Sequence, residues 1–261
     1  ISALRILSGA VVLLGLLFAR GGRLPTGARV WGHLLVCGFF LGALPFTLFA
    51  LSETRISSAL AGIGNAATPI ATVLATMAIL PGERATGRRL VAVGVGFLGV
   101  ITIMQPWTAT DRPDLVGFSM ALIGGASYGI GWTYNRKFLS GVDLGGLSQP
   151  AATLTSALVL MVPFVVTWAL LQPEGLAAIW AYDAAGVGDL PWLPLLCVLV
   201  LGVVGTGFAY MLQFDVVRGA GPVIGSTITY LIPVVSVLLG VLVLGEHLGP
   251  WQIVGFVIVL G

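Results

Sequence analysis

The residues in this sequence best suited to binding a solute are uncharged polar side chains that stand just before prolines in long apolar stretches. Asn65 and Thr229 each precede a proline, Pro69 or Pro233, by four positions. Proline lacks the N–H that would bond the carbonyl four residues back, so each position offers a polar side chain and a freed carbonyl on one helical face. A cation, a water or a donor group of a substrate can use such a carbonyl. A packed kink with no ligand is the alternative interpretation.

Aromatic side chains with polar tips could cover the apolar part of a substrate while orienting the rest of it. The Asn65 amide needs partners in a dry environment, whereas a Ser or Thr hydroxyl can bond to the backbone of its own helix. An aromatic belt at the membrane interface explains Trp132 as well as a binding site does. The predicted substrate-binding residues are Asn65, Thr68, Pro69, Tyr128, Trp132, Tyr210, Thr229, Tyr230 and Pro233.

Three further residues, Glu83, Glu246 and His247, stand where one apolar stretch ends and the next begins. A carboxylate there faces the positive end of the following helix and can cap its free amides, which is the structural interpretation. The functional alternative is a gate contact or a proton carrier at the rim of a cavity. Glu246 is the better candidate for that role because His247 lies beside it.

Ionic and covalent chemistry at membrane depth finds little support in the sequence. The apolar stretches hold no deep Asp, Glu or Lys, each of which would cost about 2.5–3.5 kcal/mol at a helix centre. Neither His33 nor His247 has a nearby set of ligand residues, so we expect no metal, no cofactor and no intramembrane enzyme. The only lysine, Lys137, lies at a helix end, which argues against a retinal-type receptor. A channel stays open as an alternative.

The elements that must position these residues are membrane-spanning helices. Hydrophobic residues make up 57% of the chain and charged residues 8%, and the mean hydropathy is +1.05. The apolar stretches are about 20 residues long, which suits α-helices crossing a bilayer. One of them carries a face of small residues for close helix packing, namely Gly117, Ala121, Gly125 and Gly129. The nine predicted spans are 1–19, 30–51, 56–80, 89–107, 115–135, 146–171, 191–214, 221–244 and 250–261.

The basic residues predict the orientation of these spans, because cytoplasmic loops carry the excess of Lys and Arg. Taking alternate loops, nine basic residues fall on one side and three on the other, and the acidic residues favour the second side. The nine are Arg20, Arg23, Arg29, Arg84, Arg88, Arg89, Arg136, Lys137 and Arg218, and the three are Arg5, Arg55 and Arg112. The loop 172–190 is therefore expected outside.

An internal repeat appears when the chain is shifted by 164 residues. Gly38 then falls on Gly202 and Pro69 on Pro233, and after one deletion the pair at 82–83 falls on the Gly-Glu pair at 245–246. Pro69 lies in the third span and Pro233 in the eighth, so the repeat unit is five helices, and an odd number inverts the second copy. We expect two repeats, 1–107 and 115–261, in an all-α integral membrane protein of ten helices. The first helix is expected to be missing from this sequence and the last to be truncated.

The segment 57–100, with its proline, its Gly-Glu corner and the glycine-rich stretch after it, resembles the repeat of the EamA family in the drug/metabolite transporter superfamily. The segment 208–261 is similar, and Leu4-Arg5 resembles the arginine near the start of that family's second helix. The resemblance implies a ten-helix transporter of small metabolites, often an amino-acid exporter, with a central cavity. Membership would place the protein in the bacterial inner membrane.

Several expectations follow for the function and its partners. We expect a secondary transporter or exporter that works by alternating access around a midplane cavity and moves neutral or aromatic amino acids. Helix ends and Asn, Thr and Tyr groups would hold a substrate that carries both charges. The expected partners are a small-molecule substrate and the lipid bilayer, with no nucleic acid, and a homodimer stays open. Both termini of the full-length protein are expected in the cytoplasm.

The topology can be tested by labelling single cysteines placed at Thr26 and Ala185. The basic bias predicts that an impermeant thiol reagent reaches position 185 from outside the cell and position 26 only after the membrane is opened. Labelling of both positions from the same side would contradict the orientation.

Overall fold

The computed structural model describes residues 1–80, 86–108, 114–171, 192–244 and 249–260, and within these ranges the chain forms helices and no β-strand. Two short stretches are π-helical, and we call them π1 and π2. The α-helices are α1 (Ser2–Ala19), α2 (Ala28–Gly38), α3 (Leu44–Ser52), α4 (Ser58–Ala66), α5 (Thr68–Ile79), α6 (Gly87–Met104), α7 (Leu115–Leu139), α8 (Ser148–Leu171), α9 (Leu193–Gly202), α10 (Ala209–Ser226), α11 (Leu231–Leu244) and α12 (Pro250–Leu260). The π-helices are π1 (Phe39–Ala43) and π2 (Val203–Phe208), and 3₁₀ turns cover Pro106–Thr108 and Thr227–Tyr230.

Seven helical runs in the described residues are long and apolar enough to cross a membrane. The last of them, 193–239, has 47 residues, about twice the length that one crossing needs. The sequence predicted two spans there, and the run is interrupted at Gly221, whose φ of 85° and ψ of 169° are not helical. The shorter apolar helix α12 follows it. The chain is therefore a multi-pass helical membrane protein. The seven runs are 2–19, 28–52, 60–79, 87–104, 115–139, 148–171 and 193–239.

The chain divides into two compact units, and the first comprises 1–43 and 141–215. In it, α1 packs against α8, α9 and π2, while α8 also packs against α2 and π1. These crossings are close because glycines stand at them. A Cβ added to Gly38 would lie 2.6 Å from the backbone nitrogen of Ala157, and one added to Gly9 would lie 3.0 Å from the carbonyl oxygen of Gly202.

The second unit comprises 44–140 and 216–261, and α7 and α6 are its central helices. Helix α7 packs against α3, α4 and α5, and α6 packs against α12, α4 and the 3₁₀ turn at Thr227–Tyr230. The predicted small-residue face of α7 is confirmed as a packing surface. A Cβ on Gly129 would lie 2.6 Å from the nitrogen of Thr72, and Ala121 packs against Gly64.

Asp114 fixes the start of α7. One carboxylate oxygen accepts hydrogen bonds from the N–H groups of Val116 (2.8 Å) and Gly117 (3.0 Å), and the other accepts one from the Arg55 guanidinium (3.1 Å). The Gly117 N–H, then the Arg55 side chain and the Val116 N–H, lower the pKa of Asp114, because each favours the charged form. A carboxyl with a lowered pKa contributes stability above its unfolded pKa and loses it as the pH falls through the folded value. This cap should therefore hold throughout the neutral range.

The two repeat-related prolines lie within apolar spans, but the prediction that they interrupt a continuous α-helix is wrong. Pro69 is the second residue of α5, after α4 has ended and the chain has turned at Ala67. Pro233 is the third residue of α11, directly after the 3₁₀ turn. The first turn of a helix has amides without helical partners, so a proline there removes no helical hydrogen bond. A new helix begins at each of these points, and proline fits its first turn.

The close crossing at Gly38 generates a stability prediction. Gly38→Ala should lower the stability of the protein by about 1–3 kcal/mol, because its Cβ meets backbone rather than a movable side chain. Gly15→Ala is the matched control, since nothing lies within 4 Å of a Cβ there and alanine favours the helix. The measurement is the fraction of monodisperse protein that survives heating in detergent. Equal survival of the two variants would contradict the packing.

Candidate functional site

All of the predicted binding residues except Tyr210 belong to the second unit. They lie on α4, α5 and α7 and on the segment from the 3₁₀ turn into α11. Helix α4 contacts both α7 and the 3₁₀ turn, so the structure brings the elements that carry Asn65, Tyr128 and Thr229 into contact. Tyr210 lies in the first unit, on α10.

Asn65 stands at a break in the middle of a membrane span. Helix α4 ends at Ala66, the chain turns at Ala67, and α5 begins at Thr68. The carbonyl end of one helix and the amide end of the next therefore meet at the same depth. Asn65 is half-buried, and a Cβ on Gly125 of α7 would lie 3.3 Å from its Cα. The break thus faces the glycine face of α7.

Thr68, buried at the same break, uses its hydroxyl to join α5 to α7. Its Oγ1 lies 3.0 Å from the Gly125 carbonyl oxygen and 3.5 Å from the Asn65 Oδ1, so the shorter contact is the hydrogen bond. Thr76 and Thr133, two turns further along, lie 3.3 Å apart between the same helices. The sequence analysis missed that pair, although Thr68, Thr72 and Thr76 recur every four residues. Thr68 therefore acts in helix packing.

The Tyr128 ring lies against those of Phe46 and Phe49, and we call these three residues the aromatic group. The Tyr128 ring is stacked on Phe49, with centroids 6.3 Å apart at 21°, and meets Phe46 edge-on at 6.4 Å and 66°. Gly124 makes room for Phe49, since a Cβ there would lie 3.2 Å from that ring. Neither phenylalanine was predicted as a site residue, because an apolar ring within a span more often belongs to the core. Trp132 follows Tyr128 by one turn of α7 and is buried, at 4% exposure.

Thr229 and Tyr230, on the 3₁₀ turn, both donate hydrogen bonds to backbone carbonyls. The Thr229 hydroxyl donates to the Ser226 carbonyl at 2.8 Å, within its own segment. The Tyr230 hydroxyl donates to the Val93 carbonyl of α6 at 2.8 Å, and its ring lies against Gly96. Ala66, next to Asn65, packs against the same tyrosine. Tyr230 therefore fastens the 3₁₀ turn to α6 and shares an apolar cluster with the last residue of α4.

In the first unit, Tyr210 is buried, and its hydroxyl donates a hydrogen bond to the carbonyl of Leu41 in π1. Its ring is tilted against Phe214, with centroids 6.1 Å apart. A π-helical turn is wider than an α-helical turn and is often found at functional sites. This bond ties α10 to the π1 segment.

The rim residues Glu83, Glu246 and His247 lie outside the described residues. Within the described ranges, no three His, Cys, Asp or Glu side chains come together as metal ligands.

The comparisons with known proteins agree with a helical membrane protein and specify its family. Residues 1–105 and 115–261 match the sequence model of the EamA-like transporter family, and the chain belongs to that family. The resemblance noted in the sequence is thereby confirmed. Family membership indicates a transporter.

Individual relatives are distant in sequence but match most of the length of this chain. The chain is 24% identical over 260 residues to the uncharacterized inner membrane transporter YedA of Escherichia coli K12, which covers 98% of this chain and 78% of that protein. An uncharacterized transporter of Archaeoglobus fulgidus is 26% identical over 223 residues, 85% and 72% of the two chains. A probable amino-acid metabolite efflux pump of Escherichia coli K12 is 24% identical over 185 residues, 69% of this chain and 57% of that protein.

A solved protein structure also resembles this fold. It superposes with a TM-score of 0.73 at 20% sequence identity, over 100% of this chain and 85% of its own. At that identity the likeness shows the fold alone.

The hydrogen bond of Tyr230 generates a prediction about its role. Tyr230→Phe should lower stability by about 0.5–1.5 kcal/mol while leaving the KM for transport unchanged, because the hydroxyl is used in packing. Thr102→Val is the control, since that exposed hydroxyl donates to its own helix at Leu98. Thermal melting and transport kinetics of both variants check it. A raised KM with normal stability would place the Tyr230 hydroxyl in the binding site instead.

Proposed function

We propose that this protein is a secondary transporter that moves neutral amino acids, aromatic ones among them, across a bacterial inner membrane by alternating access. The observation that carries this proposal is the break at Ala67, with Asn65 beside it and the aromatic group on the facing helices. The likeness of this chain to the probable amino-acid metabolite efflux pump of Escherichia coli K12 supports a substrate related to amino acids.

The ends of α4 and α5 suit a substrate that carries both charges. The last carbonyls of α4 form the negative end of its helix dipole, and the first amides of α5 form a positive end. An ammonium group is favoured at the first and a carboxylate at the second, each by about 0.3–1 kcal/mol and by up to about 2 kcal/mol where partly buried. A zwitterionic amino acid meets both ends at once. Broken helices of this kind bind substrates in other transporters.

The aromatic group supports the side-chain part of the proposal. The rings of Phe46, Phe49 and Tyr128 form an apolar group on α3 and α7. Helix α7, which carries Tyr128, packs directly against α4. Offset and edge-to-face ring contacts contribute about 0.5–1.5 kcal/mol each beyond the buried area. Aromatic and large aliphatic side chains should therefore bind better than small ones. Thr68, Pro69, Tyr230 and Pro233 would shape this site, and the predicted contact of Tyr210 with substrate stays a prediction.

The local structure also supports two repeats, 1–107 and 115–261, and the inversion of the second repeat is part of the proposal. The π2 segment begins 164 residues after π1, at the shift that aligns the two copies in sequence. Helix α12 follows the second Gly-Glu corner as α6 follows the first. The two segments matched by the family model have nearly the same bounds. We propose that the two repeats alternate access to the site and that the substrate is exported. Both termini of the full-length protein would then lie in the cytoplasm.

Transport by purified protein tests the site. In proteoliposomes, Asn65→Ala and Tyr128→Ala should each lower kcat/KM for neutral amino acids about tenfold or more, because both residues contact the substrate. Tyr128→Phe keeps the ring and should lose less. Phe18→Ala and Phe138→Ala remove aromatic side chains exposed on α1 and α7, at 57% and 40%, and should transport normally.

Two outcomes would contradict the proposal. Unchanged kinetics in both alanine variants, at equal protein level, would move the site elsewhere. Uptake that shows no counterflow of a radiolabelled amino acid would indicate a channel rather than a carrier.

A further inference from the structure

Two fully buried hydroxyls on α8 have no hydrogen-bond partner within the described residues. They are the Oγ1 of Thr153 and the Oγ of Ser156, both in residues at 0% exposure. Thr155, which lies between them, donates to the Ala151 carbonyl of its own helix at 2.8 Å, as helical threonines commonly do. Buried polar groups are nearly always satisfied, so these two oxygens indicate a ligand. Residues three apart share one helical face, so the two hydroxyls lie close together.

The helix that carries these hydroxyls packs against the first π-helical segment, with Ser156 at its start. A Cβ added to Gly38, the residue before π1, would lie 2.8 Å from the Ser156 Cβ, and Gly42 of π1 packs against Ala157. A π-helical turn displaces carbonyls from their usual hydrogen bonds and exposes them to other partners. Helix α8, which carries both hydroxyls on one face, packs against this widened turn.

The same crossing occurs a second time in the first unit, between α1 and π2. Arg5, Ser8 and Gly9 of α1 stand 148 positions before Thr153, Ser156 and Ala157 of α8. Gly9 packs against Gly202 and Thr206, as Ala157 packs against Gly38 and Gly42. Gly202 and Thr206 are the residues that the 164-residue repeat aligns with Gly38 and Gly42.

The side chains differ between the two crossings at the positions of Arg5 and Thr206. At the second crossing the Arg5 Nε donates to the Thr206 Oγ1 at 2.8 Å, so a fixed positive charge lies against π2. At the first crossing the position of Arg5 is taken by Thr153, and the position of Thr206 by Gly42. Both crossings have a serine, Ser8 or Ser156, but the first crossing has the Thr153 hydroxyl where the second has the Arg5 guanidinium.

We propose that Thr153, Ser156 and carbonyls of π1 bind a monovalent cation, with Na⁺ as the best match. Hydroxyl and backbone carbonyl oxygens are the ligands that discontinuous transporter helices offer to Na⁺. Neutral oxygens alone do not balance a divalent ion, which proteins bind with carboxylates. The site goes beyond the proposed function, because it adds ion binding to solute transport and lies in the unit that does not contain Asn65.

Thermal melting of the purified full chain in detergent tests the site without any transport assay. Chloride salts of Na⁺, K⁺ and choline are compared at equal ionic strength. Na⁺ at about five times its Kd should raise Tm by about 2–4 °C relative to choline. Thr153→Val with Ser156→Ala removes both oxygens and should abolish that shift. Thr155→Val is the matched control and should keep it, because its hydroxyl bonds to its own helix.

A substitution that copies the second crossing gives an independent check. Thr153→Arg places a guanidinium where α1 has Arg5, so the variant should melt at the same temperature in Na⁺ and in choline. If neither Na⁺ nor K⁺ raises the Tm of the wild type relative to choline, the proposal is overturned and the hydroxyls are assigned to internal water. An equal shift in the wild type and the Val/Ala variant would also overturn it. Neither result depends on whether amino acids are transported.

Discussion

The fold depends on one constraint, namely that backbone polar groups in a bilayer must find their partners inside the protein. A regular α-helix satisfies this constraint with its own backbone hydrogen bonds. This chain departs from the α-helix at π1, at Ala67, at π2 and at Gly221. Hydroxyl groups lie at several of these departures. Tyr210 donates to a carbonyl within π1, and Thr206 donates to the Leu201 carbonyl just before π2. Glycines at the crossings let the helices approach closely enough for such bonds.

This constraint reduces the number of polar side chains available to a substrate. Thr68 and Tyr230 both use their hydroxyls to join helices, and Thr229 bonds to its own segment. A hydrogen bond between membrane helices contributes on average about 0.6 kcal/mol, so each of these bonds is modest and the set acts together. Asn65, with an amide rather than a hydroxyl, and Tyr128, with its ring among other rings, remain the best candidates for recognition. In this protein, polar residues within the spans thus more often hold helices together than face a substrate.

The sequence predicted the features that depend on composition and on spacing along one helix. Apolar length indicated the spans, and the four-residue spacing from Gly117 to Gly129 predicted the packing face of α7. It did not predict partners across helices, such as Thr76 with Thr133 or Tyr128 with Phe49. Those pairs depend on which helices meet and at what rotation. The helix starts near Pro69 and Pro233 were also missed, since proline favours both a kink and a first turn.

The electrostatics of such a frame limit the substrates that it can accept. An organic solute with one net charge is too large for carbonyl and hydroxyl oxygens to surround as they surround Na⁺. It would need a side chain of opposite charge at membrane depth, where a lone carboxylate or ammonium costs about 2.5–3.5 kcal/mol on a helix. Each helix end carries about half a charge on backbone groups that do not titrate. A helix end therefore attracts a charged group at any pH. Opposed ends at Ala67 cancel in net charge but differ in position, which favours a molecule with separated opposite charges. Under the proposed function, selection among amino acids would then fall to the rings, because the charged backbone groups of amino acids are alike.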